Sequence, residues 1–346
     1  MQQKDRRCNF LLSDNPDKSI QLSEIEAHAR DCQIVSLQAP GHVDALKLIR
    51  MYKFEGKKVV LDYDDYSFDL NPCNPRYADL GTKEVQDETG KWIWRDGENG
   101  FDLGANIGKF EAFKACVREA DLVTTTTPLL AQKFREITEK VAVVPNSIDL
   151  SLWRPLPKKD DGLVRVGWSG GDSHGVDIKL LKAIAPTLCA KYPQLRFVLQ
   201  CPRPPMWDDI FASIPPDRLE WHDWADLRFY TLILADRGID IGLCPLDASV
   251  DFNRYKSPIK WMEFTALGAA VVAQNMPPYS ESCRDGETAL LASTPDEWTA
   301  AISNLVEDKA KREGLQQRAY RRVEEFHSLQ RNWTTWDDFY ADLLSN

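Results

Sequence analysis

Between Asp251 and Ala273 the chain reads DFNRYKSPIKWMEFTALGAAVVA, a loop that brings a cation to the start of a helix. Ser257 is placed as an N-cap and Pro258 as the first helical residue. The helix is expected to run through Lys260, Trp261, Glu263 and Phe264 to a stop at Gly268. Free backbone N–H groups and the positive end of the helix dipole favour an anion there, and Lys256 stands beside them. Glu263 lies nearly two turns into this expected helix, so it can reach something larger than one phosphate. A nucleoside diphosphate is that size, with its pyrophosphate at the helix start and its ribose hydroxyls by the carboxylate. The same pattern also fits a solvated helix start with surface charges, since isolated caps are common.

Three other stretches carry residues suited to chemistry. VVLDYDD ends an expected strand, 57–62, with Asp62, Asp64 and Asp65. Ligands of parallel sheets bind outside the strand C-termini, and three carboxylates there repel unless something offsets them. They could equally cap a helix or face water. SGGDSHGVD, from Ser169 to Asp177, follows the expected strand 164–168 and precedes a helix. A strand, the Gly170–Gly171 turn and a helix face a phosphate well, although this is not a G-x-G-x-x-G fingerprint. His174 in that turn is either a hydrogen-bonded structural residue or a phosphate or sugar contact. KWIWRDGENG carries Trp92 and Trp94 in an expected hairpin strand, with 97–100 as its turn. One of these tryptophans is expected to pack, and the other to form a stacking platform.

The elements that must position these residues alternate. Strands are expected at 8–12, 33–37, 57–62, 122–125 and 141–144, with helices at 22–30, 43–52, 106–119 and 128–138. Pro155, Pro157 and a charged run form a linker. Strands at 164–168, 196–200, 219–221, 239–243 and 269–273 follow, with helices at 178–191, 226–236, 295–307 and 309–326. A last helix carries Trp333, Trp336, Tyr340 and Leu344 at helical spacing, a stripe that should dock. This alternation predicts parallel sheets covered by helices. Residues 67–104, rich in Asn, Pro and Gly, are too long for an ordinary connection.

With 346 residues there is room for two domains. Hydrophobic residues at 43% and charged residues at 28% describe a soluble globular chain. A formal charge of −10 argues against a protein that coats nucleic acid, though not against a local basic groove. Eight scattered cysteines without a C-x-x-C pair and five histidines give no metal-ligand signature. Reduced thiols in a cytoplasm are expected. The opening MQQKDRRCNFLLSD lacks the apolar core of a secretion signal, and no apolar run approaches the roughly 20 residues that span a bilayer.

GWSGGDSHGVD, DIGLCPLD, FNRYKSPIKWMEFTALGAAVVA and DGETALL together resemble the C-terminal domain of retaining glycosyltransferases of the GT-B fold, in the large family four. VVLDYDD, ADLVTTTTPLLA and VVPNSIDLSLW resemble the matching N-terminal domain. The resemblance implies an α/β chain of two Rossmann-like domains facing a central cleft. These would be an acceptor side, 1–154, and a nucleotide-sugar side, 155–327, with a final helix at 328–346 crossing back to the first. It also implies a nucleoside-diphosphate sugar as donor, a UDP-sugar foremost, and no required metal. Glu263 matches the second acid of the family's Glu-x7-Glu pattern, which holds the donor ribose, but Tyr255 stands where the first acid belongs. Asp251 or Asp247 would then contact the donor sugar. Lys256 matches the diphosphate cation, with Ser257 and Pro258 beside it. Ser169, Gly170, Gly171 and His174 replace the Arg or Lys usual after the first C-terminal strand, so backbone N–H donors would supply the lost charge. Asp62 and Asp65 would position the acceptor or the sugar, with Asp64 beside them.

The insertion resembles a phage-encoded variant whose members include enzymes that glycosylate hydroxymethylated bases of DNA. For that acceptor Arg76, Lys91 and Arg95 would form a basic rim, and Trp92 or Trp94 would stack an extruded base. A cell-surface glycan or lipid-linked sugar is the rival acceptor. A nucleotide-sugar epimerase and a non-catalytic nucleotide-sugar binding module are the other classes, since fold does not fix function.

Overall fold

In the computed structural model, which describes residues 27–158 and 160–345, the buried run Val59-Val60-Leu61 forms the centre of a parallel sheet. Its first strands are β1 (Ile34–Gln38) and β2 (Lys58–Tyr63). A hairpin of β3 (Val85–Gln86) and β4 (Trp92–Trp94) interrupts the sheet, which resumes with β5 (Leu122–Thr125) and β6 (Val141–Val143). The order β1-β2-β5-β6 is parallel throughout. Three fully apolar residues in a row are what a strand covered on both faces requires. Helices Val43–Phe54, Leu103–Glu119 and Pro128–Arg135 supply the cover through Ile49, Phe113, Val117, Leu130 and Phe134.

A second parallel sheet is built from β7 (Val164–Ser169), β8 (Leu195–Gln200), β9 (Leu219–His222), β10 (Ile241–Cys244), β11 (Ala270–Gln274) and β12 (Leu290–Ala292). Its order is β12-β11-β10-β7-β8-β9. The strand order therefore reverses between β7 and β10, and a ligand crevice belongs outside their C-terminal ends. Helix Ile259–Ala266 packs so closely on β10 that a Cβ on Gly242 would come within 2.4 Å of the Phe264 ring. Helix Pro295–Glu307 starts with a capping box between Thr294 and Glu297, and Asp308 caps helix Lys309–Phe326.

Local chemistry moves several expected boundaries. The helix expected from 106 starts at Leu103 because the Asp102 carboxylate accepts from the Ala105 N–H at 2.8 Å. The helix expected over 178–191 begins at Gly175 and breaks at Lys179 into Gly175–Ile178 and Leu180–Lys191. The helix expected from 226 begins only at Tyr230, because Asp226 binds the backbone and side chain of Arg228 and makes a turn. The tryptophan strand pairs backward with Val85–Gln86, and 97–100 forms a separate turn closed by Gly97 and Phe101. The strand expected at 8–12 and most of the helix expected at 22–30 lie outside the described residues.

The insertion joins the two sheets. Leu70, Tyr77 and Phe101 form an apolar cluster with Val250 and Phe252, which follow β10. The last helix, Leu329–Ser345, starts on the connection after β6. There Gln330 donates to Asp149 at 2.6 Å and Asn332 to Ser147 at 3.0 Å. Its expected aromatic stripe is only partly covered, with Trp333 52% exposed and Leu344 46% exposed. Among the described residues no helix is long and apolar enough to cross a membrane.

Candidate active site

The ends of β2, β7 and β10 open into a cleft between the sheets. Asp65, Asn71, Asn74 and Arg76 line one wall, and Ser173, Asp177, Phe252, Asn253 and Lys256 line the other.

On the second wall, helix Ile259–Ala266 aims its start at the cleft, but its cap differs from expectation. Pro258 occupies the N-cap position and no side chain caps the helix. Ser257 lies outside the helix, and its Oγ accepts from Asn146 Nδ2 at 3.0 Å. A proline ring at the cap position has no side-chain acceptor to offer, and the Ser257 hydroxyl is taken by the other wall. Glu263 consequently sits little more than one turn into the helix rather than nearly two.

One turn of this helix sets Lys260 and Glu263, both half-buried, on one helical face. Lys260 Nζ donates to the Ser169 carbonyl at 2.5 Å and stands 5.7 Å from the centre of the Trp168 ring. Burial pulls the Lys260 ammonium below its usual range, against the attraction of Glu263. Burial pushes the Glu263 carboxyl up to about 7, with Lys260 opposing the shift. Ser169 Oγ bonds the Tyr230 hydroxyl at 2.7 Å, and burial together with the charge of Glu263 raises Tyr230. Gly170 follows at the end of β7, where a Cβ would come within 2.6 Å of the Trp168 ring. Gly171 then turns the chain beneath Trp224. The sequence carries a signal for Lys260 in its i,i+3 spacing to Glu263, which puts both on one helical face, and none for Tyr230.

His174 pairs through Nδ1 with Asp177 Oδ2 at 2.8 Å. Burial, helped by the charges of Lys260 and Lys256, lowers its imidazole to about 4 against the Asp177 bond, so it is neutral at pH 7. Asp177 Oδ1 also accepts from the Asp247 N–H at 2.8 Å and from Asn253 Nδ2 at 2.9 Å. Asp177 and Asn253 lie 76 residues apart, so no local pattern in the sequence marks them as partners. Lys256 follows on this loop, its Nζ 4.9 Å from the Phe252 ring centre and with no carboxylate in ion-pair range among the described residues. Asp251 is exposed at the start of the short Asp251–Tyr255 turn and does not line the cleft. Tyr255, in the place of the family's first acid, turns to the opposite wall. Its ring meets Lys133 at 5.6 Å and its carbonyl accepts from Thr127 at 3.1 Å.

On the first wall only one of the three clustered carboxylates lines the cleft. Asp62 accepts from Thr124 Oγ1 on β5 at 2.6 Å, and burial raises its carboxyl. Asp64 is raised by its surroundings and by the charges of Asp62 and Asp65, with hydrogen bonds from Asn146 and Gln38 opposing. Asp65 is the member that lines the cleft. Trp92, Trp94 and Arg95 are not among its lining residues. Trp94 donates to the Pro72 carbonyl at 2.7 Å and stacks on Tyr77 at 5.8 Å, a packing role. Trp92 is 40% exposed beneath the Arg95 guanidinium, which also pairs with Glu98 at 3.3 Å. Arg76 alone of the expected basic rim lines the cleft.

Residues 180–338 match the family described as glycosyl transferase-like. No curated protein sequence matches the chain. A sucrose-phosphate synthase from Thermosynechococcus elongatus is similar in structure, with a TM-score of 0.66 at 15% identity over 93% of this chain and 77% of its own. HepE from Anabaena, solved with UDP-glucose, gives 0.62 at 15% identity over 93% of this chain and 81% of its own. TarM gives 0.61 at 12% identity over 88% of this chain and 54% of its own, so the chain spans about half of TarM. At such identities the likeness is one of fold, and the fold is α/β GT-B.

Proposed function

We propose that the chain is a glycosyltransferase that moves a sugar from a UDP-sugar to an acceptor hydroxyl with retention of anomeric configuration. The observation that carries this reading is that Lys256 in the cleft wall is close enough to feel Lys260, which in turn feels Glu263, beside the point where the strand order reverses between β7 and β10. UDP-glucose in the complex of HepE, a protein of the same fold, supports the choice of donor. In this reading residues 1–154 form the acceptor side, 155–327 the donor side and 328–346 the return helix. Glu263 accepts hydrogen bonds from the ribose hydroxyls. Lys256 meets the diphosphate as the anomeric C–O bond breaks and its oxygens gain charge. The acceptor oxygen bonds the anomeric carbon from the same face and passes its proton to the departing phosphate oxygen. Asp65 orients the acceptor, and no metal takes part.

The acceptor that fits the cleft best is the hydroxyl of a glycan or lipid-linked sugar, because the exposed Trp92–Arg95 stack does not line it. A hydroxymethylated DNA base is the second reading, favoured by that same stack and by Arg76 in the cleft wall. A panel of UDP-sugars crossed with simple glycosides, lipid-linked sugars and hydroxymethylcytosine duplex DNA decides between them by product mass. The anomeric proton coupling of the product then reports the stereochemistry. No glycosylated product with any acceptor would sink the transferase reading, and an inverted product would sink retention alone. Undiminished turnover in a chelator is the expected result for metal independence.

A further inference from the structure

Asp177 is only 6% exposed, and its bonding partners come from two different loops. Oδ2 meets His174 Nδ1 on the turn after β7, while Oδ1 holds the Asp247 N–H and the Asn253 amide on the loop after β10. Asn253 Nδ2 also donates to the Asp247 carbonyl at 3.0 Å, and Asp247 Oδ1 accepts from Ser249 N at 2.8 Å. The carboxylate is therefore the buried joint between the two loops at the point where strand order reverses. A carboxylate only accepts, so the proton of this pair sits on His174 Nδ1 and Nε2 keeps its lone pair. Among the described residues no hydrogen bond reaches Nε2; His174 does not itself line the cleft, but Ser173 before it and Val176 and Asp177 after it do. Lys256 comes three residues after Asn253 on the loop that Asp177 anchors.

We infer that Asp177 is a positioning residue with two outputs: it fixes the Nδ1–H tautomer of His174, leaving Nε2 to accept a donor-sugar hydroxyl, and it holds the 247–256 loop that presents Lys256. The role assigned to Nε2 and Lys256 rests on the transferase reading; the tautomer and the loop anchor do not.

Asp177→Asn separates the two outputs. The amide oxygen can still accept from Asp247 and Asn253, but its NH2 must donate to His174 Nδ1, which drives the proton to Nε2. Nitrogen-15 spectra of the histidine side chains, with His174→Gln to assign the resonance, are expected to show bare Nε2 in the substrate-free wild type and bare Nδ1 in Asp177→Asn. Turnover should fall about 10-fold, the worth of one hydrogen bond, with donor KM nearly unchanged. In the His174→Gln background Asp177→Asn should add no further loss. Asn253→Ala should act through the other output, lowering kcat more than it raises donor KM as Lys256 loses its place, while leaving the tautomer alone, and it also serves if Asp177→Asn does not fold. A protonated Nε2 in the wild type, or a reversed tautomer with unchanged turnover, overturns the inference. A wild type that consumes no UDP-sugar sinks the transferase reading, while the spectra still decide the tautomer.

Discussion

At the end of β2, Asp62, Asp64 and Asp65 stand within four residues of one another, yet only Asp65 lines the cleft. Across the cleft the acidic groups are far apart in sequence and individually partnered. Asp177 has three neutral donors, and Glu263 has Lys260 one turn before it. A run of carboxylates draws the eye in a sequence, but proximity alone gives like charges only mutual repulsion, which here adds to the burial that raises Asp64. In the cluster the donors that the fold supplies, Thr124 to Asp62 and Asn146 and Gln38 to Asp64, go to the two acids that do not line the cleft, whereas Asp177 is both partnered and in the cleft wall. The cations divide in the same way. Lys256 and Lys260 converge on the second wall, whereas Arg95 stays on the hairpin surface beside Glu98.

Removing Lys256 should break the second wall most severely. Lys256→Ala is expected to lower kcat about 100-fold or more, the effect of losing one charge contact made in the transition state. The donor KM should move less than kcat. Steady-state kinetics with a UDP-sugar measure both, and unchanged turnover would take this residue out of the mechanism.

Glu263 sharpens the comparison through pH. Its carboxyl, raised to about 7, is largely protonated at about pH 6 and largely charged at about pH 8. A ribose hydroxyl donates best to the ionised form, so affinity for an intact UDP-sugar should rise across that window. Glu263→Gln should flatten the rise and weaken binding at about pH 8 by roughly 1–3 kcal/mol. The sign for folding is the reverse. A carboxyl raised in the native state holds its proton more tightly than in the unfolded chain, so Glu263 withdraws stability as pH climbs from its ordinary value towards about 7. Calorimetry across pH checks the first point and thermal melts the second.

On the first wall, Asp65→Asn is expected to cost about 10-fold in kcat, since Asp65 is the clustered acid that lines the cleft. Acceptor KM should rise with it, and the donor KM should not. Equal losses with every acceptor, including water, would instead place Asp65 on the donor.

What the chain revealed in advance follows the range of the interactions. Buried strands such as Val59-Val60-Leu61, and capped helices such as Pro295–Glu307, are local signals, and their positions hold within a residue or two. The Ser257 cap failed because its hydroxyl is claimed by Asn146, more than a hundred residues away. Lys260 was legible in its spacing to Glu263, but its bond to the Ser169 carbonyl exists only once β7 lies beside β10. Asp177 gave a single local signal, its i,i+3 spacing to His174, while its other two partners come from the loop after β10. The hairpin of Trp92 and Trp94 was visible as alternation, whereas its pairing with Val85–Gln86 depends on the Asp87–Lys91 turn, where Asp87 binds the N–H groups of Thr89 and Lys91.

The smallest expected effect belongs to Asp62, the acid nearest the strand end and therefore a natural choice for catalysis from sequence. Its Oδ1 is occupied by the Thr124 hydroxyl at 2.6 Å, a bond between β2 and β5 that an asparagine oxygen can accept equally well. Burial raises its carboxyl, so the native state binds this proton more tightly than the unfolded chain does. The contribution of Asp62 to stability thus falls as pH rises from the ordinary carboxylate value through the raised one. Asp62→Asn carries no charge and escapes that fall. Its thermal midpoint should match the wild type in acid and equal or exceed it at neutral pH, while kcat stays within about 2-fold, the range of a substitution that preserves its hydrogen bond. Melts at about pH 4 and about pH 7, with kinetics at the latter, test both halves. A loss of about 10-fold or more in kcat with the melting behaviour intact would return Asp62 to the reaction and erase the distinction drawn between it and Asp65.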